Sequence, residues 1–206
     1  MATGLLVFGV LSSYLFLPKA PEISGSVQSL LFGIIFLALV PVLYVRFVLK
    51  ESLSTIGFTW KTEYPGIPAV FFAVSAVLSI WFLLLQWYDL GTLYSLPPVV
   101  RTSFPWFLFY GGVLVAVIAF LYEVFFRGLV MLSWFASFGI AAVFLQFGFL
   151  LALLAISGGL LWQNVPMLLS GFASGFVAYH TRSLFYSWMT AWLSMLLADV
   201  LFLVFG

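Results

Sequence analysis

Cysteine is absent from this chain of 206 residues, histidine occurs once, and charged residues make up only 6% of the sequence. The missing thiols exclude disulfides, thiolate nucleophiles and cysteine-ligated metal ions. A zinc site normally takes at least three protein ligands, and one histidine with six acidic residues offers few. We therefore predict no metal and no cofactor. The net charge of +1 also provides no basic surface for nucleic acid.

Apolar side chains are what the sequence has in abundance. Hydrophobic residues account for 65% of it and aromatic residues for 20%, whereas about a quarter of an average soluble domain is charged. This composition predicts an integral membrane protein surrounded by lipid. An all-α fold is expected because lipid cannot satisfy an open strand edge and no segment alternates as a membrane strand would. No domain boundary or low-complexity segment is visible, so residues 1–206 are predicted to form a single membrane domain.

Seven apolar runs approach or exceed the roughly 20 residues that a helix needs to cross the hydrocarbon core. Their limits are 4–17, 27–49, 66–88, 104–127, 140–162, 166–179 and 183–205. We therefore predict a polytopic transmembrane helix bundle with about seven crossings. Residues 128–139 are interpreted as a possible interfacial helix. Whether the short run 4–17 crosses the bilayer stays open.

The cations divide unequally between the two sides of such a bundle. If run 4–17 crosses, Lys19 and Arg101 fall on one side and five cations on the other. Those five are Arg46, Lys50, Lys61, Arg127 and Arg182. The positive-inside rule makes the richer side cytoplasmic, which places the N-terminus in the cytoplasm and the C-terminus outside. We expect the membrane to be a bacterial cytoplasmic membrane.

A glutamate and an arginine stand inside the fourth apolar run, in the string Tyr122-Glu-Val-Phe-Phe-Arg-Gly128. An ionisable residue within a bilayer needs a partner. Glu123 and Arg127 are separated by four positions with the acid on the N-terminal side, which is the favourable helical order for an ion pair. We predict that they form a structural ion pair within one helix.

The residues from Glu123 to Leu129 resemble the first signature of the CAAX-prenyl protease and bacteriocin-processing intramembrane protease (CPBP) family, Glu-Glu-x-x-x-Arg followed by Gly-Leu. Phe138-Gly139 and the loop from Leu53 to Phe58 are similar to other elements of that family. The segment from Gly171 through Gly175 to Leu184 looks like its Gly-x-x-x-Gly helix and the following turn. The resemblance covers residues 50–200, and residues 1–49 lie outside it. It implies a helical membrane bundle related to endopeptidases.

The catalytic positions of that family are mostly replaced in this sequence. In the family, paired glutamates activate a water, and a histidine from a Phe-x-x-x-His motif and a His-x-x-x-Asn motif complete the site. Here Tyr122 occupies the first glutamate position, and window 139–159 contains no histidine. The third motif falls at about Ala191 and Met195. Only Glu123 remains of five catalytic positions, together with the signature's Arg127.

This loss decides between two classes of function. Hydrolysis of a peptide needs a general base, a held water and donors for the oxyanion, and an ion-paired glutamate is a poor base. We therefore favour a non-catalytic scaffold or accessory subunit that binds a membrane-protein partner. The expected partners are membrane lipids and this membrane protein. We expect the protein partner to contact the segments before Lys50. The alternative is a divergent glutamate-dependent intramembrane endopeptidase. A transporter is less favoured because paired broken helices are missing.

Five further polar or small residues have a local or a functional interpretation. Asp199 lies deep in the last run, about 24 Å from its start, so we expect no dyad with Glu123 and instead an interfacial position or a bond to Arg101 or the backbone. His180 is expected to complement a helix C-terminus, with ligation of a bound group as the alternative. Gly171 and Gly175 lie on one helical face, which allows another helix to pack closely. Gln146 is expected to hydrogen-bond between helices or to lie at a loop end, and not to act as a catalyst.

Overall fold

A computed structural model of the chain describes residues 2–16, 24–62, 64–87, 94, 96–158 and 162–205. Within these residues every regular element is a helix or a helical turn, and no strand is present. The all-α prediction is therefore confirmed for the described part of the chain. Lys19, one of the two cations assigned to the outer side, lies outside the described residues.

The described residues form eight helices, labelled α1 to α8, and two short 3₁₀ turns. The helices are α1 (Ala2–Phe16), α2 (residues 25–48), α3 (Gly66–Trp87), α4 (Pro98–Thr102), α5 (Phe104–Phe138), α6 (Ala141–Ile156), α7 (Val165–Thr181) and α8 (Leu184–Phe205). The 3₁₀ turns are Leu53–Ile56 and Trp162–Asn164. Helices α2 and α5 contain π-helical stretches, at Gly33–Leu39 and Tyr44–Val48 in α2 and at Tyr110–Val115 and Glu123–Leu132 in α5.

Four helices in the described part of the chain are long and apolar enough to cross a membrane. They are α2, through its residues Val27–Val48, and the whole of α3, α5 and α8. The protein is accordingly an integral membrane protein. Helices α1, α6 and α7 are shorter, with 15, 16 and 17 residues. At a rise of 1.5 Å per residue they measure about 22 to 26 Å, against about 30 Å of hydrocarbon.

Helix α5 continues past the point where the sequence suggested an end. It runs for 35 residues from Phe104 to Phe138, so residues 128–138 extend the same helix. Gly128 does not terminate the helix. A Cβ at this position would lie 2.9 Å from Leu184 Cδ1 and 3.2 Å from the Ile56 carbonyl oxygen. The glycine serves the close approach of neighbouring segments. Gly139, with φ of +53°, ends the helix.

The main hydrophobic core contains residues from both ends of the sequence. Val7 and Val10 of α1 and Leu37 of α2 are buried together with Phe125 of α5 and Leu150 of α6. Residues 1–49 lie outside the family resemblance, yet they belong to this core. Helices α1 and α2 thus supply part of the main core itself.

Consecutive long helices run in opposite directions between two ends of the bundle. At one end the start of α1 meets the end of α2, where Thr3 Oγ1 lies 3.2 Å from the Tyr44 hydroxyl. At that end the Gly57 carbonyl oxygen accepts a hydrogen bond from the Leu184 amide at 2.7 Å. At the other end, in α3, Trp81 Nε1 donates to the Ala198 carbonyl oxygen of α8 at 3.1 Å. Helix α8 therefore begins at the Gly57 end of the bundle and ends at the opposite end.

Candidate functional site

Glu123 and Arg127 lie side by side in α5, and each side chain is about 1% exposed. Arg127 Nε is 3.3 Å from Glu123 Oε1, so the ion pair expected from the sequence spacing is formed. That Nε has no hydrogen bond of acceptable geometry. The contact is therefore an electrostatic one between neighbouring groups. Charges buried at this depth require such compensation.

Two serines from other helices hold the carboxylate of Glu123. Ser174 Oγ of α7 donates to Oε1 at 2.9 Å. Ser187 Oγ of α8 donates to Oε2. Both serines are fully buried. Three helices thus meet at this single carboxylate, and each of its oxygens has at least one partner. Neither serine was predicted from the sequence to contact Glu123.

The small face of α7 packs against other helices of this same chain. A Cβ at Gly171 would lie 2.8 Å from Leu150 Cδ2 and 3.0 Å from Arg127 Nη2, and one at Gly175 would lie 2.7 Å from Gln146 Nε2. The Gly171 carbonyl oxygen accepts a hydrogen bond from Arg127 Nη2. The two glycines therefore allow α5 and α6 to pack closely against α7. The carbonyl oxygen of Gly171 also provides a hydrogen-bond acceptor for the buried guanidinium.

A cavity of about 20 Å³ adjoins Glu123. This volume holds about one water molecule. Tyr122, Ala191 and Met195 are among its lining residues, together with alkyl groups from α5, α6 and α7. These are the three positions at which the sequence analysis placed the missing glutamate, histidine and asparagine. The structure brings them to Glu123, but their side chains supply no acid, imidazole or amide.

The groups around Glu123 limit the chemistry that this site can perform. The lining of the cavity contains one carboxylate and one guanidinium, and these compensate each other. No group of three or more histidine, cysteine or acidic side chains that could hold a metal ion occurs among the described residues. A general base would have to be Glu123 itself, which already accepts two hydroxyl hydrogen bonds.

His180 lies far from this carboxylate, on the exposed last turn of α7. It is six residues beyond Ser174, or about 9 Å along the helix. Its ring contacts that of Tyr179 edge to face, with 5.3 Å between the centroids. The Arg182 backbone, with φ of +54°, follows as the left-handed C-cap of the helix. This is the end of the helix at which the sequence analysis expected the imidazole.

Asp199 is likewise remote from Glu123. It lies 12 residues beyond Ser187 on α8, or about 18 Å along the axis, so the two acids form no dyad. Its carboxylate accepts a hydrogen bond from the Tyr94 hydroxyl and not from Arg101. The Arg101 guanidinium lies over the Phe202 ring, 5.3 Å from its centroid. Burial raises the pKa of Tyr94, and the nearby Asp199 adds to that effect.

Gln146 is buried without the interhelical hydrogen bond that the sequence analysis expected. Its side chain is completely buried in α6, and neither its amide nitrogen nor its amide oxygen has a hydrogen-bond partner. The nitrogen is directed at Gly175, where the missing Cβ leaves room for it.

Comparisons with protein-family profiles, with curated proteins and with solved structures produced no match for this chain.

Proposed function

We propose that this chain is a non-catalytic integral membrane protein with a CPBP-like core, which acts as a scaffold or accessory subunit of a membrane-protein complex. The observation that carries the proposal is the environment of Glu123. Its carboxylate is bound by Arg127, Ser174 and Ser187. The adjoining cavity presents Ala191 and Met195 where hydrolysis would require polar groups. In this arrangement the glutamate ties three helices together.

The proposed topology has seven crossings with the N-terminus in the cytoplasm of a bacterial cell. Alternation of the helix directions supports the count, because α1, α6 and α7 each connect the two ends of the bundle. The cations support the orientation. Lys61 and Arg182 lie together at the Gly57 end, whereas Arg101 lies at the opposite end beside Phe202. The positive-inside rule then makes the Gly57 end cytoplasmic.

The proposed docking surface is the outward face of α1 and α2, in the region outside the family resemblance. Val7 and Val10 of α1 point into the core, whereas Leu5 and Phe8 are exposed. Association in lipid depends on shape and close packing, since lipid tails are as apolar as these side chains. A partner must therefore fit the particular surface that these residues form.

Purification of the tagged protein in mild detergent, followed by mass spectrometry, tests this function. We expect a stoichiometric membrane partner that is retained by the parent and lost in Phe8→Ala. The matched control is Phe72→Ala, because Phe72 of α3 is 77% exposed and Phe8 is 73% exposed. A single monodisperse chain, or equal retention of the partner by both variants, contradicts the proposal.

The second candidate is a divergent endopeptidase that uses Glu123 as its base. The cavity beside the carboxylate favours it, because the volume of about 20 Å³ has room for one hydrolytic water. Incubation of the purified chain with prenylated and transmembrane peptides distinguishes the two functions. The scaffold proposal expects no cleavage above background and no change in Glu123→Gln. Turnover that disappears in Glu123→Gln would establish the enzyme instead.

A further inference from the structure

A second cavity, which the proposed function does not use, lies at the end of the bundle opposite Gly57. It has a volume of about 160 Å³. Its polar lining converges from the segment before α4, from α5, from the 3₁₀ turn before α7 and from α8. The residues concerned are Tyr94, Tyr110, Gln163, Asn164 and Asp199. A small number of convergent polar groups in an otherwise apolar cavity is typical of a ligand site.

Asp199 is the charged member of this cavity. Its side chain is 3% exposed. It accepts one hydrogen bond, from the Tyr94 hydroxyl, although an ionised carboxylate can accept about four. Among the described residues the one ion pair is Arg127 with Glu123, so no cation within 4 Å compensates Asp199. The N-terminus of α7 contributes at most about half a positive charge. Within the described part of the chain, this buried carboxylate is therefore short of positive charge.

We propose that the Asp199 cavity binds a small organic ammonium group. One carboxylate balances a single positive charge, and Asp199 is the one acid among the described residues that line the cavity, whereas a divalent metal usually takes several oxygen ligands. The volume far exceeds the roughly 10–15 Å³ that a water-sized occupant needs. Tyr94 and Tyr110 add aromatic side chains, whose ring faces attract cations within about 6 Å.

The depth of the cavity allows two sources of the ammonium group. Asp199 lies six residues before the end of α8 at Phe205, or about 9 Å along the helix. An amine-bearing phospholipid at that end of the bundle carries its ammonium group on a flexible headgroup, which can reach toward Asp199. A soluble amine could also enter from the aqueous side, because Gln163 in the lining is exposed. Both ligands present the same chemistry to Asp199.

Titration of the full-length protein with ammonium probes tests the proposal. The chain is placed in nanodiscs of phosphatidylglycerol alone, and tetramethylammonium or ethanolamine is added, with sodium chloride at matched ionic strength as the reference. Binding is followed by calorimetry and by the thermal unfolding midpoint. We expect both probes to bind and to raise the midpoint above that in sodium chloride. Parallel nanodiscs that contain phosphatidylethanolamine distinguish a lipid headgroup from a soluble amine as the better ligand.

The decisive variant is Asp199→Asn, which keeps an acceptor for Tyr94 and removes the charge. We expect its affinity for the probes to fall more than about tenfold. Glu51→Gln is the matched control, because it removes an exposed carboxylate near the opposite end and should leave binding unchanged. Should Asp199→Asn fail to fold, Tyr110→Leu is expected to weaken binding while Tyr110→Phe retains it. Unchanged affinity in Asp199→Asn, equal affinity in the two Tyr110 variants, or no ammonium effect in either lipid would overturn the proposal.

Discussion

Arg127 of α5 donates a hydrogen bond to the backbone carbonyl oxygen of Gly171 in the middle of α7. The same guanidinium is ion-paired with Glu123, which accepts hydrogen bonds from both α7 and α8. A group of two charges and a few small residues thus connects three helices inside an apolar bundle. Each of these residues has a partner on another helix. Substituting any one of them should therefore change the stability of the bundle.

Gly171→Ala is expected to destabilise the protein, because the new Cβ would lie 2.8 Å from Leu150 and 3.0 Å from Arg127. Overpacking of this kind typically costs about 1–3 kcal/mol. Unfolding of the purified variant in detergent measures the loss. Gly148→Ala in α6 is the control, since nothing lies within 4 Å of a Cβ there and alanine favours a helix. Equal stability of the two variants would contradict the packing described for α7.

Glu123→Ala should lower stability more than Glu123→Gln. Both variants leave Arg127 buried without its counter-charge, and breaking a buried pair costs about 3–5 kcal/mol. The alanine variant also removes both carboxylate oxygens that Ser174 and Ser187 bind. The glutamine variant keeps an acceptor for Ser174 or Ser187. Folded yield and the unfolding midpoint in detergent give the comparison. If both variants fold like the parent, the ion pair is not a structural requirement.

Ser187→Ala tests the bond between α8 and the carboxylate. Removal of a donor to a buried charged group costs about 1.5–3 kcal/mol, so we expect a clear decrease in the unfolding midpoint. Ser79→Ala is the matched control, because Ser79 Oγ bonds only the Ser75 carbonyl oxygen on the exposed face of its own helix. An effect of Ser187→Ala no larger than that of the control would show that Glu123 does not depend on α8.

Val7→Ala is expected to destabilise the bundle, whereas its neighbour Phe8→Ala should not. Val7 is 1% exposed in the main core, and loss of its methyl groups should cost about 1–3 kcal/mol. Phe8 faces outward and loses contacts with lipid only. For the same reason, deletion of residues 1–26 should reduce the folded yield of the remainder. A stable bundle after that deletion would show that the remaining helices fold without α1.

The absence of cysteine makes the topology directly testable with single introduced cysteines. We expect Ala2→Cys and Glu51→Cys to be protected from a membrane-impermeant maleimide in intact cells. Thr102→Cys should react with it, since Arg101 and its neighbours are placed outside. All three positions are exposed on the protein surface. Labelling of Ala2→Cys together with Thr102→Cys would mean that α1 does not cross, and the count of seven would then be wrong.

Local regularities made much of the architecture predictable. Apolar runs of sufficient length located the long helices, and the four-residue spacing brought Glu123 beside Arg127, since residues four apart share one face of a helix. The limits of α5 were harder to predict. A glycine in sequence looks the same whether it ends a helix or admits a neighbouring segment, and Gly128 does the latter.

The sequence by itself determined that this is a helical membrane protein, because its composition has no other stable solution in lipid. It also determined the ion pair, because that contact is local. Only the tertiary structure decided that Ser187 would hold Glu123 and that Tyr94 would bond Asp199, which lie 64 and 105 residues apart in sequence. It also decided that α1 belongs to the main core. Such contacts depend on which helix faces turn toward one another, and no periodicity within a single helix records that choice.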